Sequence, residues 1–76
     1  MEKDNPFLEE RKKRLKFVEK LLESLTEKDS EVQLRSVISI IIRQYGVTYK
    51  TALGYIQVFE DADFIEIKKR IIKRKK

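Results

Sequence analysis

No cysteine, histidine or tryptophan occurs in this 76-residue chain, and it holds only two glycines and one proline. Each absence removes a class of chemistry. Without Cys or His there is no thiolate nucleophile, no Ser-His or Cys-His pair and no zinc-finger ligand set. Disulfides cannot staple the fold, so packing alone has to hold it. Two glycines leave no glycine-rich phosphate loop, and so little Gly and Pro argues against a long linker. No apolar run approaches the roughly 20 residues that span a bilayer, and the charged N-terminal segment lacks the apolar core of a secretory leader. Carboxylate neighbours exist, such as Glu9-Glu10 and Asp61 with Asp63, but so short a chain has little volume for a reaction pocket. The expectation is one small, soluble, cytoplasmic domain that binds rather than catalyses, with no cofactor, no metal and no membrane partner.

What is present is charge. Lys and Arg number 18 against 13 Asp and Glu, a net charge of +5. Twelve Lys, nine Glu and nine Ile resemble the bias of hyperthermophile proteomes, although Lys and Glu are also good helix formers. The excess is unevenly placed: residues 1–28 carry net +1, residues 29–63 net −2 and residues 64–76 net +6. A block such as Lys68-Lys69-Arg70 followed by Lys73-Arg74-Lys75-Lys76 is an electrostatic footprint for a polyanion, or else a solvated basic tail.

Three helices are predicted. Asn5-Pro6 opens the first, with Asn as the N-cap and Pro in a first turn that needs no donor. Leu8, Leu15, Val18, Leu22 and Leu25 form its apolar stripe, Leu21 widens it and Phe17 lies at its edge. The stripe ends near Leu25. Arg11-Lys12-Lys13-Arg14 reads as a solvated face, with a phosphate contact as the lesser reading. The connection Thr26-Glu27-Lys28-Asp29-Ser30 holds three candidate caps. The second helix is expected to carry Val32, Leu34, Val37, Ile38, Ile41 and Tyr45 on one side, with Ile40 and Ile42 extending the apolar surface. Arg35, Ser39 and Arg43 form its polar stripe. So apolar a helix belongs at the centre of the domain. Its β-branched run over residues 37–42 also fits a strand, but the 3.6-residue repeat and the following Gly favour helix.

Gly46 follows the last periodic residue, where a left-handed C-terminal cap is expected. Thr48 then caps a third helix with Ala52, Tyr55, Ile56 and Phe59 on its core side. Helix, short Gly-containing turn, helix is the helix-turn-helix pattern. The stretch Ile41-Ile42-Arg43-Gln44-Tyr45-Gly46-Val47-Thr48-Tyr49-Lys50-Thr51-Ala52-Leu53-Gly54-Tyr55-Ile56 resembles a helix-turn-helix of the winged-helix superfamily, similar to small archaeal DNA-binding and transcription-factor domains. Phe59-Glu60-Asp61-Ala62-Asp63-Phe64-Ile65 resembles the exit from the recognition helix into the first wing strand. The resemblance covers residues 30–73. This chain departs from it at Ile42, where a small residue is usual, and at Asp63, where Gly is common.

The resemblance implies a recognition helix of about residues 48–60 lying in the major groove. Thr48, Tyr49, Lys50 and Thr51 would form its N-terminus and reach bases or phosphates, Tyr49 as a packing or phosphate-contacting aromatic rather than a base stacker. Leu53, Gly54 and Gln57 would line the groove-facing side, Gln57 pairing with adenine and Gly54 allowing close backbone approach. Tolerated surface positions are the plainer reading for both. Arg43 would lie near the phosphate backbone. This helix has one cation, Lys50, and ends in Glu60, Asp61 and Asp63, so phosphate binding would fall to Lys68, Lys69, Arg70, Lys73 and Arg74.

Residues 64–76 have two readings. One is a β-hairpin wing, Phe64 to Lys68 and Ile71 to Lys73 around a two-residue turn, although Lys-Lys-Arg is poor turn chemistry. The other is a fourth helix with Phe64, Ile67 and Ile71 on one face. Together these give a mostly α fold: a trihelical helix-turn-helix core with a short C-terminal wing, or a fourth helix in its place. Residues 1–5 are expected as an N-terminal tail, 6–73 as the single domain and 74–76 as a basic tail. The expected function is a non-enzymatic DNA-binding protein, a transcriptional regulator or chromatin-type factor associated with the nucleoid, with double-stranded DNA as partner. The alternative is a small accessory subunit of a replication or transcription complex, with Phe17 and the second helix offering a docking surface. A homodimer paired through the first helix is also left open.

Overall fold

The computed structural model describes residues 6–75, and the side chains from residue 9 onward. The expected cap Asn5, the 1–5 tail, the Leu8 side chain and Lys76 lie outside the described residues. Three helices and three strands follow in the order α1 (Pro6–Leu25), β1 (Glu31–Gln33), α2 (Leu34–Tyr45), α3 (Tyr49–Asp61), β2 (Ile65–Lys68) and β3 (Ile71–Arg74). A single 3-10 turn, Glu27–Asp29, separates α1 from β1. The fold is a trihelical core with a C-terminal β-hairpin wing.

The core forms where the apolar faces of all these elements meet. Val18 and Leu22 of α1, Val37, Ile38 and Ile41 of α2, Ala52, Tyr55 and Ile56 of α3, and Ile65 and Ile72 of the hairpin are buried together. Phe17 is no free sticky residue. Its ring packs edge-on against Tyr45, with centroids 5.5 Å apart. Two cations of the α1 basic cluster are also held: the Arg14 guanidinium lies 4.9 Å over the Tyr45 ring and Arg11 lies 5.7 Å over Tyr55. Arg14 also donates to the Tyr55 hydroxyl at 3.2 Å and to Glu10 at 3.2 Å. The Tyr55 bond, then Glu10, hold its pKa above the ordinary value. The α1 cations nearest the body thus serve packing on aromatic faces.

Two helix-end signals hold within the described residues, and one does not. Gly46 takes φ +66° and its N–H bonds to the Ile42 carbonyl at 2.7 Å, closing α2 with a left-handed cap. Thr48 caps α3, its hydroxyl accepting from the Thr51 N–H at 3.2 Å. The exception is the start of α2. None of Thr26, Asp29 and Ser30 caps it. Gln33 stands at the cap without a side-chain bond, and the Leu34 N–H donates to the Arg70 carbonyl at 2.9 Å.

Val32 belongs to a strand, not to α2. β3 is the centre of a three-stranded antiparallel sheet, β1-β3-β2, with Val32 opposite Ile72 and Ile72 opposite Ile67. These residues face the core, while Glu31, Gln33, Glu66, Lys68, Ile71 and Lys73 alternate onto the outer face. Residues 64–74 therefore form the wing rather than a fourth helix, and Arg74 belongs to β3 rather than to a tail.

Two local devices carry the chain into the hairpin. At the end of α3, the Phe64 N–H bonds to the Phe59 carbonyl and the Asp63 N–H to the Glu60 carbonyl, both at 3.0 Å. This is a Schellman motif, with Asp63 at φ +62° in the place where the resemblance expects Gly. The Phe59 and Phe64 rings meet at 6.2 Å and supply its apolar contact. At the hairpin tip, Lys69 and Arg70 both take positive φ, +51° and +64°. That is the pattern of a type I′ turn, which matches the twist of the strands but favours Asn-Gly.

Candidate nucleic-acid interface

The tip of the wing does not stand free. The Leu34–Arg70 backbone bond pins it to the start of α2. A cleft of about 470 Å³ opens there, lined by Gln33, Leu34, Arg35, Tyr49, Lys69, Arg70 and Ile71. Its charged residues are all cations, and none of the three has an ion-pair partner among the described residues. Tyr49, the first residue of α3, is 56% exposed and is the one large exposed hydrophobic side chain among the described residues. The structure therefore brings together Tyr49, Lys69 and Arg70 from the predicted set, and adds Arg35.

Arg35 is visible in the sequence as part of the α2 polar stripe. Nothing in that periodicity says that the stripe begins beside the wing. Arg43, two turns further along, is exposed in the last stretch of α2. Lys50 is exposed next to Tyr49, and the positive end of the α3 dipole adds to the cations there. Thr48 and Thr51 are exposed, but their hydroxyls bond to each other at 3.1 Å and hold the start of the helix.

On α3, Lys50, Gly54 and Gln57 recur at i, i+4 and i+7, opposite the buried Ala52, Tyr55 and Ile56. Gln57 is exposed. A Cβ added at Gly54 would meet nothing within 4 Å. Nothing inside the protein requires a glycine there. The far end of α3 bears Glu60 and Asp61, so the helix runs from a positive to a negative end. A polyanion is favoured only at its N-terminal half.

Three predicted phosphate ligands sit elsewhere. Arg74 shares the inner face with Ile72 and reaches back to the end of α1. Its Nε donates to the Thr26 hydroxyl at 3.1 Å, another guanidinium N–H to the Glu23 carbonyl at 2.9 Å, and the group lies 5.0 Å over the Phe64 ring. Thr26 is buried and donates its own hydroxyl to the Leu22 carbonyl at 2.7 Å. Arg74 is thus a clasp between hairpin and α1. Lys73 is exposed but stands between Glu31 on one neighbouring strand and Glu66 on the other. Lys68 lies 4.0 Å from Glu66. The basic segment that the sequence shows as one block is divided by strand alternation into a cationic tip, a charge-balanced outer face and an inward clasp.

Comparison with protein-family models, curated proteins and solved structures finds no match to this chain.

A larger hollow of about 600 Å³ at the opposite end of the sheet is lined by three acids, Asp29, Glu31 and Glu66, and three bases, Lys73, Arg74 and Lys75. Its charge is balanced, so it has no preference for a polyanion. Among the described residues no cluster of three or more acidic side chains is arranged to hold a metal ion. Among the described residues no helix is long and apolar enough to cross a membrane.

Proposed function

We propose that this protein binds double-stranded DNA without catalysing a reaction, in the manner of the winged-helix domains that its helix-turn-helix stretch resembles. The N-terminal half of α3 enters the major groove, with Tyr49, Lys50, Gly54 and Gln57 toward the bases. The wing tip and the start of α2 take the flanking phosphates through Lys69, Arg70 and Arg35. The observation that carries this reading is the convergence of three unpaired cations and the start of α3 around one cleft. A transcriptional regulator or chromatin-type factor on the nucleoid follows from it.

The test is anisotropy with a labelled blunt duplex over a salt series. If Arg35, Lys69 and Arg70 each meet a phosphate, log K falls against log salt with a slope of about −2.7. The Lys69→Glu, Arg70→Glu double variant should lose binding to every sequence while its circular dichroism stays unchanged. Unaltered affinity in that variant sinks the reading. The acidic C-terminal end of α3 favours one alternative, an accessory subunit of a replication or transcription complex. That protein would co-purify with a larger assembly and leave a free duplex unshifted at physiological salt.

A further inference from the structure

A double-helical partner leaves one feature of the cleft unexplained. A base inside a duplex has neighbours on both faces and offers only its edges to a protein. Tyr49 presents an aromatic ring that is more than half exposed, beside the apolar side chains of Leu34 and Ile71 that line the same cleft. Such a surface matches the face of a base, which becomes available only when the base is unpaired.

The rest of the lining fits the same ligand. Gln33 carries both a donor and an acceptor, the combination needed to read a base edge. Arg35, Lys69 and Arg70 supply charge for a phosphate, and no carboxylate lines the cleft to oppose them. Its volume of about 470 Å³ suits a ligand the size of one nucleotide. The backbone on one side of the cleft is fixed in advance, since the Leu34–Arg70 bond and the two-residue turn set the wing tip against the start of α2.

We infer that the cleft beneath the wing turn is a seat for one unpaired nucleotide, its base stacked on Tyr49 and its phosphate held by Arg35, Lys69 and Arg70. The nucleotide arrives either in a single-stranded extension of a bound duplex or as a free mononucleotide. The first form rests on the duplex-binding reading and turns it into a preference for duplex ends or junctions. The second stands without it.

The experiment measures anisotropy of the full chain on a blunt duplex, on the same duplex with a short single-stranded overhang, and with adenosine 5′-monophosphate or inorganic phosphate as competitor. The overhang should tighten binding roughly 5- to 150-fold, the range for stacking one base on an aromatic side chain. Tyr49→Ala should remove that gain, so that the overhang and blunt duplexes bind alike, and Tyr49→Phe should retain it. The nucleotide should compete at concentrations where inorganic phosphate does not. Equal affinity for the two duplexes with no competition by the nucleotide overturns the seat, and so does competition by phosphate that matches it. A chain that ignores both duplexes but binds fluorescently labelled adenosine 5′-monophosphate, and loses it on Tyr49→Ala, keeps the seat as a free-ligand site and loses the duplex reading. A chain that binds the blunt duplex with no gain from overhang or nucleotide keeps the duplex reading and loses the seat.

Discussion

Replacing Lys69-Arg70 by Asn-Gly should make the protein more stable and a poorer DNA binder. Both residues hold positive φ, +51° and +64°. An L side chain in that region is strained by about 1–2 kcal/mol against a helical or extended one, and Gly is not. Asn visits it more readily than Lys does. Glycine also gains freedom in the unfolded chain, which takes back part of the relief. The net gain is about 1 kcal/mol, which raises the melting temperature of a domain this size by about 4–8 °C. The register is kept, because Lys68 still faces Ile71 across a two-residue loop. The same change removes two unpaired cations. The salt slope for duplex binding should fall by about 1.8, or 0.9 for each lost phosphate contact. Differential scanning fluorimetry reads the first effect and an anisotropy salt series the second. A variant that melts lower, or that keeps its full salt slope, would refute the claim that strain at this tip is tolerated for the sake of its two side chains.

Other positions separate stability from binding in the same way. Gly54→Ala should stabilise α3 by about 1 kcal/mol, since Gly is the poorer helix former and the added methyl meets nothing within 4 Å. If α3 approaches DNA closely there, the same variant loses affinity on a blunt duplex; equal binding would return Gly54 to an ordinary surface position. Arg74→Ala should lower stability by about 1–3 kcal/mol through loss of its charged bonds to Thr26 and Glu23. Its salt slope should stay at the wild-type value, and a slope smaller by one contact would restore Arg74 to the phosphate set. Lys75 donates to Asp63 at 3.0 Å, and this bond holds its pKa above the ordinary 10.5. A raised pKa stabilises the fold below the ordinary value and stops doing so as pH rises through the raised one. Wild type and Lys75→Gln should therefore differ in melting temperature at neutral pH and converge in alkali beyond 10.5; a gap that widens with pH contradicts the pairing.

The helices could be read from the sequence because their signals are local. Gly46 and Thr48 act within four residues, and the α3 stripe Ala52, Tyr55, Ile56 repeats within two turns. β1 could not. Val32 fits the periodicity of the helix that follows, and its strand exists only because Ile72, 40 residues later, lies opposite it. The cap of α2 escaped for the same reason, since the group that satisfies Leu34 is a carbonyl on the wing. For the interface, Tyr49, Lys69 and Arg70 were legible as residue types, whereas their meeting with Arg35 is a tertiary fact. The place of Arg74 was within reach of the sequence. Once the hairpin is drawn, a repeat of two puts it on the face of Ile72, toward the core.

The central place of β3 decides what kind of arm the wing is. A hairpin held only by its own turn can swing; this one is bonded along its β3 edge to β1 and at its tip to Leu34, while β2 forms the outer edge of the sheet. The amide protons of β3 should exchange with solvent only when the whole sheet opens, at a free energy close to that of global unfolding. The backbone that carries the cations at its end is thus ordered before any partner arrives. Association then forgoes most of the backbone entropy that a flexible basic arm surrenders on binding, about 1–2 kcal/mol for each residue already fixed. The long-range pairing of residues 31–33 with 71–73 makes the fold slower to assemble, and in return it leaves a surface with little left to freeze.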